Sequence, residues 1–247
     1  MSGPGSSGAT LGSVDPIDLS EITPVAQDYL KAIWSATEWG DPPITTTALA
    51  ARMGTSAPNV TDTVKRLAAQ GLVEYQPYKP VTLTPQGRAY AVAMVRRHRL
   101  LETFLVTTLG YPWEEVHDEA ERLEHAVSDA MIERIDAQLG QPTADPHGDP
   151  IPTAQGRTRR PLNTTRLTRA RPGRYEIVRL SDADPQLLTR FRACGLVPGG
   201  PFRVIAQGAS GTTGVPGNQH TAIDLAPVEA EAIWVTPIPI LNTLRSH

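Results

Sequence analysis

The chain has 247 residues, 40% of them hydrophobic and 20% charged, with a formal net charge of −3; this is ordinary soluble composition and length enough for two modest domains. No apolar run approaches the roughly 20 residues a bilayer helix needs, and the Gly/Ser/Pro-rich start lacks the apolar core of a signal peptide, so residues 1–22 are expected to be a disordered leader on a cytoplasmic protein. The single cysteine, Cys194, excludes an internal disulfide and a four-cysteine zinc module.

The distribution of charge says more than its sum. Residues 52–99 hold eight Lys/Arg against two acids, whereas residues 114–136 hold nine acids against Arg122 and Arg134. A basic segment suits phosphates and an acidic one suits cations.

In chain order, Val25, Tyr29, Ala32, Ile33 and Ala36 recur at helical spacing behind Thr23-Pro24, which predicts a first helix with proline in its first turn. "TTALAARMG" predicts a short second helix closed by Gly54. In "TSAPNVTDTVKRLAAQG", Ser56 is the expected N-cap, Pro58 fits the first turn, Val60, Val64 and Leu67 face inward, and Gly71 ends the helix. Its start and outward side, Ser56, Pro58, Asn59, Thr61, Asp62 and Lys65, lie where a recognition helix presents side chains to base edges in the major groove of double-stranded DNA. "LVEYQ" and "VTLT" are two short strands joined by "PYKP", a wing whose tip carries Lys79. After Thr84-Pro85 a long helix runs into "RRHRLLETFL". Helix, helix-turn-helix, hairpin and long helix at these spacings make a winged helix-turn-helix.

That long helix sets His98 and Glu102 four residues apart on one face. Next, "VHDEAERLEHAVSDAM" (116–131) predicts one amphipathic helix: Val116, Ala120, Leu123, Val127, Ala130 and Met131 form its apolar stripe, and His117, Glu121, Glu124 and His125 fall within roughly one quadrant. Such a face can be merely solvated. A second His–carboxylate pair on the preceding helix favours metal, and imidazole with carboxylate, without thiolate, suits Mn²⁺, Fe²⁺ or Zn²⁺. The rival from another class is a metalloenzyme, but "EEVH" is a single E-x-x-H where a di-iron bundle needs two, and no H-E-x-x-H occurs. The chain is therefore read as a non-enzyme with no small organic substrate and no membrane partner. A DNA-binding protein with a purely structural metal is the third alternative.

Residues 142–173 are rich in Pro, Thr and Arg without an apolar period and read as a tether. Beyond them "YEIVRL", "FRVIAQ", "TAIDL" and "AIWVT" predict strands, "DPQLLTRFRACG" a brief helix and "GASGTTGVPGN" a glycine-rich loop, together a small barrel.

The motifs "APNVTDTVKRLAAQGLVEY", "LTPQGRAYA", "RRHRLLETFL", "VHDEAERLEH" and "PHGDPIP" together resemble the diphtheria toxin repressor family of metal-dependent transcriptional repressors, over about residues 23–155. The resemblance implies a multidomain, mainly α fold: winged helix-turn-helix (23–95), helical metal-binding dimerisation domain (96–146), linker (147–172) and C-terminal SH3-like β-barrel (173–240). It implies a primary metal site at Asp28, Glu121, Glu124 and His125, and an ancillary site at His98, Glu102 and His117, completed from the SH3-like domain by Asp184 and Gln186. Iron-responsive members carry Met and Cys where this sequence has Asp28 and Glu121, so the resemblance points to a manganese-responsive branch. Fe²⁺, Co²⁺ or Zn²⁺ are substitutes, and an iron-responsive repressor is the alternative within the family. The expected activity is repression by a metal-loaded homodimer on a palindromic operator of manganese homeostasis genes. Short manganese regulators carry a further Glu one turn after the first-helix Asp; here Lys31 stands there, which favours separate primary and ancillary sites over a closely spaced pair.

Overall fold

A computed structural model describes residues 17–217 and 219–239, so most of the expected leader lies outside the described residues. Its last residues are ordered, contrary to expectation: Leu19–Glu21 form a 3₁₀ turn capped by Asp18, Leu19 is buried, and Gln27 Nε2 donates to the Leu19 carbonyl at 2.8 Å. The described residues form two compact units: those up to Ala93 together with Ala154–Gly156, and Met94–Thr153 together with those from Arg157 onward.

In the first unit, α1 (Pro24–Glu38) starts from Thr23, whose hydroxyl accepts from Ala26 N–H. Tyr29, Ala32 and Ile33 are buried as the spacing predicts, but Val25 is 54% exposed, because it borders an open cleft beside Asn59 and Arg66 instead of the core. Helix α2 (Thr46–Arg52) is followed by Gly54 at φ +61°, a left-handed turn that glycine adopts without cost. The next helix, α3 (Ala57–Ala69), is capped by Ser56 and buries Val60, Val64 and Leu67. Strands β1 (Val73–Glu74) and β2 (Thr82–Leu83) pair antiparallel as the wing. The first turn of α4 (Pro85–Leu109) lies against the base of the wing: a Cβ on Gly87 would stand 1.8 Å from the Leu72 carbonyl oxygen.

The second unit begins within α4. Residues 116–131 are two helices, not one: α5 (Val116–Glu124) stops, and Ser128 caps α6 (Asp129–Gln138) by accepting from Met131 N–H. Ser and Asp at a helix start outcompete the apolar period that runs through Val127 and Met131, and Met131 ends 46% exposed. Leu100, Leu101, Leu105, Val116, Ala120, Ile132 and Ile135 form the helical core.

The barrel comprises β3 (Thr165–Arg166), β4 (Gly173–Leu180), β5 (Pro201–Gly208), β6 (Gly211–Pro216), β7 (Ile223–Leu225) and β8 (Ile233–Pro237), with α7 (Pro185–Ala193) and α8 (Pro227–Glu231). Its strand order is β3-β8-β4-β5-β6-β7, every pair antiparallel. Two expectations change. The linker span contributes β3 and the buried Leu167, and residues 145–149 form a buried loop instead of a tether. The glycine-rich loop is β6, where Gly214 is needed because a Cβ would stand 2.3 Å from the Phe202 ring, a core side chain. Among the described residues no helix is long and apolar enough to cross a membrane.

Candidate metal centre and nucleic-acid face

Four residues apart on α4, His98 and Glu102 point into the second unit, and both are buried. Across from them α5 presents His117. The His98 Nε2, Glu102 Oε1 and His117 Nδ1 atoms stand 3.0, 3.2 and 3.3 Å from one another. Proton accounting shows why they converge. His98 Nδ1 lies 2.6 Å from Glu124 Oε2, so the neutral ring places its proton there and turns the Nε2 lone pair toward the Glu102 carboxylate. Acceptors facing acceptors in a buried site call for a cation. A six-coordinate ion with bonds of about 2.0–2.2 Å keeps neighbouring donors about 3 Å apart, which is the spacing found.

The cluster continues toward the barrel. Asp182 Oδ2 lies 3.6 Å from His117 Nδ1, and His147 Nδ1 lies 4.0 Å from Glu102 Oε2. His147 Nε2 donates to the Trp113 carbonyl at 2.8 Å, which fixes the tautomer and leaves Nδ1 as an acceptor. Both His147 Nδ1 and Glu102 Oε2 are buried without a hydrogen-bond partner, and Glu102, Asp145 and His147 offer donor atoms within 4.8 Å of one another. Asp145, Asp149 and Asp182 face the guanidiniums of Arg99 and Arg179.

The titration pattern reflects this crowding. Burial alone would raise the Glu102 carboxyl, but His98 and His117 hold it well below the usual range. Burial, then the charges of Asp149 and Glu102, push Asp145 up to about 8. His117 and His147 are both raised: burial opposes this, but Glu102 outweighs it at each, aided by Asp182.

His98, Glu102 and His117 are thus brought together. Asp184 and Gln186 are not: Asp184 Oδ1 caps α7 by accepting from Gln186 N–H at 2.9 Å, and Gln186 is exposed. The barrel carboxylate at the cluster is Asp182, two residues earlier, where "SDAD" leaves the register ambiguous in sequence. His147 and Asp145 were missed, although "DPHGDP" sets a histidine between two acids. Of the expected primary set, Glu121 Oε1 lies 3.7 Å from His117 Nε2, and Glu124 Oε1 lies 3.7 Å from His125 Nε2. Asp28 is half-buried on α1 in the first unit.

The residues expected to face DNA all lie in the first unit. Pro58, Asn59, Asp62 and Lys65 are exposed on α3, as is Lys79 on the wing. Ser56 Oγ accepts from Asn59 N–H at 3.4 Å, Asn59 Nδ2 reaches Thr55 Oγ1 at 3.3 Å, and Thr61 Oγ1 donates to the Ala57 carbonyl. Ser56 and Thr61 therefore spend their hydroxyls on the helix, while the longer polar side chains extend outward.

A winged helix-turn-helix and a helical His/carboxylate cluster define a metal-responsive DNA-binding regulator, and comparison with known proteins agrees. Residues 21–81 match the iron-dependent repressor N-terminal DNA-binding domain, residues 84–153 the metal-binding and dimerisation domain of the same repressors, and residues 165–237 the FeoA domain. The iron-dependent repressor IdeR of Mycobacterium tuberculosis is 34% identical over 218 residues, 83% of this chain and 94% of that one. A solved manganese-dependent transcriptional repressor in complex with manganese is 48% identical, superposes with a TM-score of 0.82, and covers 86% of this chain and 100% of its own. The manganese regulator SloR is 32% identical, with a TM-score of 0.74 over 88% of this chain and 100% of its own. The chain belongs to the diphtheria toxin repressor family of metal-dependent transcriptional repressors.

Proposed function

We propose that this repressor responds to Mn²⁺ and, as a metal-loaded homodimer, binds a palindromic operator controlling manganese homeostasis genes. The observation that carries the metal assignment is the chemistry of the donor set. Every candidate ligand is an imidazole or a carboxylate, and the positions that separate the iron and manganese branches hold Asp28 and Glu121. Oxygen and imidazole donors suit Mn²⁺, whereas thioether and thiolate suit softer ions. The 48% identity to a repressor solved with manganese supports the same reading.

The ancillary site is His98, Glu102 and His117, with Asp182 from the barrel and the His147–Asp145 pair beside it. The primary site is Asp28, Glu121, Glu124 and His125. A divalent ion supplies the positive charge that lets these carboxylates converge. Glu124 ties the two sets together, because its Oε2 holds the His98 Nδ1 proton at 2.6 Å; a carboxylate behind a ligating histidine orients the ring and raises its basicity. Completion of the primary set by metal biases the chain toward its operator-competent population.

Raw affinity does not favour Mn²⁺ over later first-row ions, so selectivity rests on which ion assembles the set. Replacing Asp28→Met together with Glu121→Cys is expected to move the operator response from Mn²⁺ toward Fe²⁺, measured anaerobically against buffered free metal. An unchanged order of metal responses in a folded, dimeric variant would show that these two residues do not set selectivity.

A further inference from the structure

We propose that Arg179 is a positioning residue for the metal centre, seating the barrel's Asp182 carboxylate against His117 while it grips Asp149 of the 145–149 loop. The proposal rests on the reading of the His98–Glu102–His117 cluster as a metal site, and it concerns how the barrel delivers its ligand.

Arg179 sits on β4 just after a shift of register between Ile177 and Arg179 in the pairing with β8. Irregularities of this kind re-aim a side chain. Its Nε donates to both oxygens of Asp149 at 2.7 Å, and its NH2 group lies 3.6 Å from Asp182 Oδ1. The other oxygen of Asp182 is the one 3.6 Å from His117 Nδ1. Asp182 is therefore shared, one oxygen to the guanidinium and one to the metal cluster. The plane of the guanidinium is set independently, since it lies over the Trp234 ring at 4.4 Å, and Arg166 also lies over that ring at 4.5 Å. Stacking on an aromatic face is a property of the planar guanidinium that a lysine ammonium lacks.

Asp149 is held from both sides. Arg99 of α4 approaches it at 3.3 Å, and its own N–H donates to Asp145 Oδ1 at 2.9 Å. Backbone contacts fix the same seam: Leu180 N–H donates to the His147 carbonyl at 2.9 Å, and a Cβ on Gly148 would stand 2.0 Å from the Val178 carbonyl oxygen. Residues 178–180 thus place His147 through the main chain and Asp182 through the Arg179 side chain.

The test uses the full chain carrying His125→Ala, so that the ancillary centre is read apart from the primary one. Calorimetric Mn²⁺ titration, thermal melting and amide exchange at Leu180 without metal would be measured for Arg179→Gln, Arg179→Lys, Asp182→Asn and the Arg179→Gln/Asp182→Asn pair. Loss of a residue that orients a ligand weakens metal binding by about 10–100-fold, and that is expected for Arg179→Gln, with partial recovery in Arg179→Lys. The pair should lose less affinity than the product of the two single losses, because part of the Arg179 effect runs through the Asp182 carboxylate. Leu180 exchange should speed up in metal-free Arg179→Gln but not in Asp182→Asn. Wild-type affinity in folded Arg179→Gln, or multiplying effects in the pair, would overturn the proposal. If Arg179→Gln does not fold, Arg179→Lys alone and paired with Asp182→Asn gives the same cycle. Failure of the parent chain to bind Mn²⁺ would instead overturn the metal reading beneath it.

Discussion

Side chains on the two faces carry separable energies. On α3, the exposed Asn59, whose amide reaches Thr55 Oγ1, is proposed to read a base edge, and the exposed Lys65 and Lys79 to meet phosphate. Asn59→Ala should cost about 1–3 kcal/mol of discrimination between matched and scrambled operators. Lys65→Gln or Lys79→Gln should weaken both DNAs alike and lower the salt slope by about 0.9 for each phosphate no longer neutralised. Titrations over a salt series separate these outcomes, and equal weakening on both DNAs in Asn59→Ala would remove it from the reading surface. At the metal cluster the signs are fixed by linkage. His117 and His147 are raised above 6.5, and Asp145 is raised from 3.8 to about 8. Between about pH 5 and 8 the metal-free fold therefore holds more protons than the unfolded chain, so its stability falls as pH rises. Glu102 and Asp182 act oppositely, but as lowered carboxylates their contribution is already present above their unfolded values and is lost only toward acid. Melting temperatures without metal should drop from pH 5.5 to 8, and saturating Mn²⁺, which binds the deprotonated ligands, should reverse the trend.

Among the elements, the break between α5 and α6 governs where His125 sits, and Ser128 makes the break. Removing its cap by Ser128→Ala should destabilise the second unit by about 1 kcal/mol, read as a lower melting temperature; an unchanged melt would mean the helix start is held by packing alone. The same break shows where local sequence stops being informative. Val127, Ala130 and Met131 continue the period of α5, so periodicity predicts one helix, and the competing signal is only the Ser-Asp pair at 128–129. Helices α1 to α4 were legible because each carries its own cap or closing glycine, at Thr23, Thr45, Ser56, Gly71 and Thr84. The glycines of β6 suggested a loop because their reason, the approach of the Phe202 ring and of the Leu225 carbonyl oxygen, is non-local. The same division holds for the site. His98 with Glu102, and His117 with Glu121, are i, i+4 pairs that a helix wheel finds. Asp182 and His147 reach the cluster through the seating of the 145–149 loop on β4, and no period within either segment encodes that.

For the whole molecule, the opposed charges of residues 52–99 and 114–136, net +6 and net −7, bear on how metal and operator communicate. Two mechanisms predict that Mn²⁺ tightens DNA binding: neutralising carboxylates lowers repulsion of the phosphates, or tethering Asp28 to the α5 ligands places the recognition helices. The first is a field effect, which salt screens over about 10 Å at 0.1 M and which does not distinguish sequences. The second depends on half-site spacing in a palindrome, because a two-fold dimer must present two recognition helices about one DNA turn apart. Under the second, the coupling should appear on the matched operator, be nearly absent on scrambled DNA, and persist as salt is raised. Couplings between sites are commonly about 5–150-fold, and whatever factor Mn²⁺ confers on operator affinity, the operator must confer on Mn²⁺ affinity. Operator titrations at limiting and saturating free Mn²⁺, paired with Mn²⁺ titrations of free and operator-bound protein, measure both arms of the cycle. Equal tightening on scrambled DNA, fading with salt, would leave charge neutralisation as the whole effect and Asp28 without its role in the switch. The matched-operator result predicted from the donor set is the opposite: a factor that survives salt, agrees in both directions, and collapses in Asp28→Ala while Lys65 and Lys79 keep their non-specific grip.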